Sequence, residues 1–128
     1  MDPVSDLLIR IKNAQGAGRE SLELPYSKIK FNIAKILERE GFLAGVERKG
    51  PKAKERLQLN LKYVQGAPTI QDLRRVSKIG QRIYTSAHKI KRVKQGYGLA
   101  IISTSQGLMT DKEAKQKKLG GEILCEIW

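Results

Sequence analysis

Apolar residues near the start of the chain recur at helical spacing. Val4, Leu7, Leu8, Ile11 and Ala14 fall on one face of a helix, with Asp2 placed to cap it and Pro3 in the first helical position. The run Asn13-Ala14-Gln15-Gly16 ends it, and Ser21 to Leu24 reads as a short strand. Ser27 is placed to cap a second helix whose apolar face is Ile29, Ile33, Ile36 and Leu37. Gly41 sits where a left-handed terminal residue is wanted. The period then changes. In "ERLQLNLKY", Leu57, Leu59, Leu61 and Tyr63 alternate with Arg56, Gln58, Asn60 and Lys62, the mark of a strand with one buried face. Its predicted hairpin partner is Phe42 to Lys49, joined through Gly50-Pro51.

Gly66 and Pro68 in "VQGAPT" interrupt both periodicities and mark the expected domain boundary, giving domains 1–64 and 65–128. Beyond it short strands are expected at Arg74–Ser77, Arg82–Tyr84, Leu99–Ser103 and Glu122–Trp128. A single short helix interrupts them, opened by the capping box Thr110/Glu113, with Lys115, Lys117 and Lys118 near its negative end. Gly120 is the candidate C-terminal glycine of that helix; Gly121 is not needed for it, which points to a close backbone approach. The predicted fold class is α+β: two small tandem α/β domains. The first places two helices on a small sheet, and the second is mostly strands with one short helix.

Composition sharpens this picture. The 128 residues carry 25 Lys and Arg against 13 Asp and Glu, a net charge of +12, and such an excess points to a polyanionic partner. The first 64 residues hold 13 basic and 8 acidic groups, the rest 12 and 5. No apolar stretch is long enough for a membrane span, and the opening Met1-Asp2-Pro3 reads as neither a signal nor a transit peptide. The single Cys125 and single His88 form no disulfide and no zinc site, so no metal or other cofactor is expected.

Ser103, Thr104 and Ser105 leave an apolar run side by side, and a nucleophile is the first idea to test. Serine hydrolysis needs a base and a group to orient it. His88 has Lys89 as its neighbour, and the nearest carboxylates in sequence are Asp72 and Asp111. The Ser-x-x-Lys pairs Ser27/Lys30 and Ser86/Lys89 are expected by chance in so lysine-rich a chain, so catalysis is not predicted. "GYG", Gly96 to Gly98, precedes a strand instead of following one, so it reads as a turn and not as a dinucleotide fingerprint.

The basic run is the stronger signal. From Arg74 to Lys94 there are eight basic residues and no acid, with Tyr84 inside the run and Tyr97 just after it. Cations neutralise phosphates, and a tyrosine ring stacks on bases. Serine and threonine hydroxyls suit the 2′-hydroxyls displayed in the shallow groove of A-form RNA, so structured RNA is expected before DNA. A general binder of structured RNA or DNA is the rival reading that the charge permits.

Gly98, Ile101-Ile102, Ser103-Thr104, Gly107-Leu108-Met109, Ala114-Lys115 and Gly120-Gly121-Glu122 with Cys125 closely resemble the C-terminal signature of the bacterial small-subunit ribosomal protein S-eight family. "DPVSDLLIRIKNA", "LPYSKIKFNIAKILEREGF" and "RVSKIGQRIY" resemble its two N-terminal helices and the start of its second domain, so the resemblance spans the chain. It implies a structural, non-enzymatic component of the small subunit in the cytoplasm. Such a protein is a primary binder of the central domain of 16S ribosomal RNA and a monomer when isolated, and it neighbours small-subunit proteins five and twelve. By position, Ser103, Thr104, Ser105, Gln106 and Gly107 match the loop that enters the RNA minor groove, and Tyr84 matches the aromatic beside it. Gly121 and Glu122 match a second contact loop, and Lys28 and Lys30 match N-terminal backbone contacts; Lys78 and Arg82 complete the expected RNA-binding set. Three positions depart from the family pattern: Ile79 for proline, Gln106 for lysine and Lys118 for glycine.

Overall fold

A computed structural model of the chain describes residues 2–128. Its elements are a mixture of helix and strand, as the sequence predicts, and they group into two compact units, Pro3–Ile70 and Gln71–Trp128.

In the first unit, helix α1 (Pro3–Gly16) buries the predicted stripe of Val4, Leu7, Leu8, Ile11 and Ala14. Helix α2 (Lys28–Arg39) is capped by Ser27, whose Oγ accepts from the Lys30 backbone N–H at 3.3 Å, and Gly41 takes a left-handed φ of +85° just beyond its end. Its buried face differs from the predicted one: Ile29 is only half-buried, while Lys30, Ile33, Ala34, Ile36 and Leu37 are buried. Strands β1 (Ser21–Pro25), β2 (Leu43–Lys49) and β3 (Arg56–Leu61) form an antiparallel sheet in the order β1-β3-β2. The alternation in β3 is real, since Leu57, Leu59 and Leu61 are buried and the residues between them are not. Tyr63 does not extend that alternation. It starts a small hairpin of β4 (Tyr63–Val64) and β5 (Ala67–Pro68), and its hydroxyl donates to the Arg19 carbonyl at 2.6 Å. The hairpin carries the "VQGAPT" segment and turns through Gln65 and Gly66, both at positive φ.

The second unit is a five-stranded antiparallel sheet. Strand β10 (Gly121–Ile127) lies between β8 (Leu99–Thr104) on one side and, end to end on the other, β6 (Leu73–Arg75) and β7 (Tyr84–Thr85). Strand β9 (Gly107–Thr110) pairs the far side of β8. Two strands are shorter than predicted. β6 stops at Arg75 although the Val76 and Ser77 N–H groups still donate to the Leu124 and Ile123 carbonyls, because the Ile123 N–H donates to the Ile83 carbonyl instead. The buried Ser77 hydroxyl fastens that change of partner: it donates to the Ile83 carbonyl at 3.3 Å and accepts from the Ile83 N–H at 2.8 Å. The same bond occupies the Ile83 amide, so β7 begins only at Tyr84 instead of Arg82. Strand β9 was not expected from the sequence at all.

Helix α3 (Asp111–Gln116) has the full capping box, with the Thr110 hydroxyl accepting from the Glu113 N–H and the Glu113 carboxylate accepting from the Thr110 N–H. Its C-terminal left-handed residue is Lys118 (φ +56°), not Gly120. Gly120 and Gly121 serve a different need. A Cβ on Gly120 would lie 2.4 Å from the Thr85 carbonyl oxygen, and one on Gly121 would lie 2.1 Å from that of Ser103. The close approach that Gly121 suggests is therefore to the chain's own central strand. Cys125 is buried in β10, and desolvation pushes its thiol up to about 12, which removes it from thiolate chemistry.

Candidate nucleic-acid interface

Directly opposed residues in antiparallel strands share one face of the sheet. Tyr84 opposes Glu122, Glu122 opposes Ser103, and Ser103 opposes Leu108. Four strands thus line up one row, Tyr84–Glu122–Ser103–Leu108, and three of its members are predicted RNA-binding residues. Tyr84 is 69% exposed, leaving its ring face open. Glu122 is neutralised by Arg82, whose guanidinium stands 3.2 Å from its carboxylate. Ser103 sits in the central strand, half-buried, and its hydroxyl has no intramolecular hydrogen bond among the described residues.

Beside this row the chain reverses from β8 into β9 through Ser105 and Gln106, both exposed, with Gly107 at φ +105°. The three hydroxyls do different things. Thr104 donates to the Gly107 carbonyl at 2.9 Å and accepts from the Gln106 N–H at 3.1 Å, so it closes its own turn. Ser105 makes no intramolecular bond among the described residues. The hydroxyls left for a ligand are those of Ser103 and Ser105. The Thr104 hydroxyl is committed, because the turn consumes its only proton. Gln106 stands at the tip of the turn, so the departure from lysine removes a charge there and leaves the backbone bonds of the turn in place.

The basic run divides once acids from elsewhere are brought beside it. Arg74 pairs with Glu126, Arg82 pairs with Glu122, and Arg75 donates to the Leu124 carbonyl at 2.6 Å; all three acceptors are on β10. Lys78 stays exposed in a turn closed by bonds in both directions between Lys78 and Gln81, with Ile79 (75% exposed) and Gly80 (φ +90°) at its tip. No described acid pairs with Lys78, Lys89, Lys91 or Arg92. His88 and Ser86 are exposed, with no orienting carboxylate given to His88.

The two N-terminal lysines belong to the first unit. Lys28 is exposed in the first turn of α2, a position where a cation is disfavoured by the helix dipole. Lys30 is 7% exposed and its ammonium lies 2.6 Å from Asp6. The hydrogen bond from Lys30, and then the one from Arg10 at 2.9 Å, hold the Asp6 carboxyl below its ordinary range. A buried, committed ammonium is not presented to phosphate, so the sequence expectation for Lys30 is not met by this geometry. Helical periodicity offered no sign of the pairing, which joins residues on two different helices.

The ribosomal protein S8 family model matches residues 2–128. The small ribosomal subunit protein uS8 of Thiobacillus denitrificans is 48% identical over 126 residues, covering 98% of this chain and 96% of the relative. The uS8 protein of Dictyoglomus turgidum is 46% identical over 127 residues, covering 99% and 97%. That of Mycoplasmopsis pulmonis is 44% identical over 127 residues, covering 99% and 96%. A strand-built surface of free hydroxyls and an open tyrosine agrees with this similarity, which runs from end to end: the chain belongs to the ribosomal protein S8 family.

Proposed function

We propose that the chain is a non-enzymatic structural component of the small ribosomal subunit that binds the central domain of 16S ribosomal RNA. The second unit does the reading. The observation that carries this is the row Tyr84–Glu122–Ser103 beside the Ser105–Gln106 turn: an open ring, a neutralised carboxylate and two unpaired hydroxyls on one end of a rigid sheet. Such groups are matched to 2′-hydroxyls and base edges in a shallow RNA groove, and less to phosphate charge. The Glu122 carboxylate accepts from base amines, and Arg82 keeps its charge from repelling the backbone. Lys28 and Lys78 supply phosphate contacts, which hold the protein in place without reading sequence. Gly107 lets the turn reverse, and Gly121 lets β10 lie against Ser103, so both position readers instead of touching RNA themselves.

The protein binds as a monomer and needs no cofactor, with its two units acting in tandem and small-subunit proteins five and twelve as its neighbours. Footprinting on naked 16S RNA tests this. Protection confined to one central-domain helix by the protein alone is expected. Protection that requires other ribosomal proteins, or that bulk RNA competes away, would return the chain to the class of general nucleic-acid binders.

A further inference from the structure

We propose that the segment Lys91–Tyr97 is a second RNA-binding surface that takes an unpaired nucleotide, stacking its base on Tyr97 and holding its phosphates on Lys91 and Arg92. This rests on the RNA-binding reading above and adds a site to it.

Tyr97 is 87% exposed, the highest value among the exposed large apolar side chains. It follows three consecutive residues with positive φ: Lys94 at +47°, Gln95 at +57° and Gly96 at +98°. Two of these are not glycine, and a left-handed residue with a side chain is strained by its Cβ against the following carbonyl. The shape persists because both ends are fixed. The Tyr97 and Gly98 amides donate to the Lys94 and Val93 carbonyls at 3.1 and 3.2 Å, and Val93 is buried. Gly98 has no room for a Cβ, which would lie 2.5 Å from the Ile127 carbonyl oxygen. Strained backbone held by its surroundings, with an aromatic ring displayed at its crest, is a feature of binding loops. Lys94 is drawn aside, its ammonium 4.8 Å from the Trp128 ring centre, so it orders the loop. Lys91 and Arg92 are exposed and no described acid pairs with them.

The place of this segment makes it separate from the hydroxyl site. It enters β8 at Leu99, while Ser105 follows Thr104 at the other end. Five residue steps at about 3.3 Å put those strand ends about 17 Å apart. A nucleotide on Tyr97 is therefore not the one read by Ser105. An RNA partner fits better than an acidic protein, because the exposed Tyr97 ring with nearby cations offers a base a stacking face, while the half-buried aromatic of this region, Trp128, already lies under the Lys94 ammonium.

The test is binding of the full chain to an oligouridine of about twelve nucleotides and, in parallel, to a central-domain RNA hairpin. Tyr97→Ala is expected to weaken oligouridine binding about tenfold and Tyr97→Phe to restore it. Lys91→Ala with Arg92→Ala should lower the log–log salt slope by roughly 0.7 for each charge removed. Ser105→Ala should leave oligouridine binding unchanged while weakening the hairpin. Wild-type oligouridine affinity in Tyr97→Ala would overturn the proposal, as would loss of oligouridine in Ser105→Ala. Poly-glutamate that competes through Tyr97 as well as oligouridine does would assign the surface to a protein instead. Hairpin binding that ignores Ser105 while oligouridine still needs Tyr97 would remove the hydroxyl reading and leave this site standing.

Discussion

Lys30 offers the sharpest test, because sequence and structure give it opposite jobs. Read along the chain it is a phosphate contact; in the fold it is a buried ammonium on Asp6 at 2.6 Å. Stripping one partner from a fully buried pair costs about 3–5 kcal/mol, since the remaining charge is stranded. Asp6 is not stranded: its side chain is 24% exposed and Arg10 still bonds it at 2.9 Å. The loss then approaches that of one hydrogen bond to a charged group, about 1.5–3 kcal/mol, with the packing of the lysine stem included in Lys30→Ala and largely kept in Lys30→Met.

The pH dependence has a definite sign. Lys30 first and Arg10 second lower the folded pKa of Asp6, so their stabilisation is complete above the unfolded value near 3.8 and fades as pH falls through the folded one. Wild type and Lys30→Met should therefore differ most at neutral pH and converge in acid. Urea unfolding followed by far-ultraviolet circular dichroism reads this, because α1 and α2 carry most of the helix. RNA affinity and its salt slope should be unchanged where the variant is folded. A Lys30→Met protein as stable as wild type, with a salt slope reduced by about 0.7–0.9, would refute the pairing and restore the lysine as a phosphate contact.

Further outcomes follow from the same geometry. Ser105→Ala should weaken cognate RNA with an unchanged salt slope. Thr104→Val should instead lower thermal stability by about 1 kcal/mol through the two turn bonds it loses, checked by paired titration and melting. Lys118→Gly should raise stability by roughly 0.5–1 kcal/mol in a denaturant titration, because glycine relieves the left-handed φ but gains entropy when unfolded. Gly121→Ala should destabilise the second unit by about 3 kcal/mol or more, read from Trp128 fluorescence, because the new Cβ meets the Ser103 carbonyl in the central strand and not a side chain that can move. A stable Gly121→Ala protein that had lost RNA affinity alone would make Gly121 a direct contact.

Legibility in the sequence followed the range of the forces. Helices α1 and α2, the β2–β3 hairpin and the capping box of α3 rest on periodicity and caps, which act within a few residues, and they stand where the pattern puts them. Strand β9 has no such signal. It is four residues long, and Leu108 and Met109 are adjacent, so no alternation declares it; it forms because Gly107 turns the chain back onto β8. Ser77 hides in the same way, since a serine whose hydroxyl bonds both the N–H and the carbonyl of Ile83 looks like any loop serine until Ile83 is beside it.

The candidate site was half visible for a related reason. The family resemblance pointed to Tyr84 and the hydroxyl turn, and the strand register puts Tyr84 in one row with Glu122 and Ser103, but a run of cations without acids in sequence is not a run without acids in space. Glu122 and Glu126 come from β10, forty or more positions away, and occupy Arg82 and Arg74. That neutralisation changes how the surface has to work. With Arg82 tied to Glu122, the row beside the turn presents a carboxylate, a phenol ring and serine hydroxyls, nearly neutral as a group, while the cations without a described acid, Lys78, Lys89, Lys91 and Arg92, belong to other segments. Attraction and recognition are thereby divided between different residues. On the proposed RNA-binding reading, those cations supply affinity that salt weakens, and the neutral groups of the row supply discrimination that salt leaves alone. A chain with a net charge of +12 that placed its cations at the centre would bind any RNA; one that pairs them there can choose.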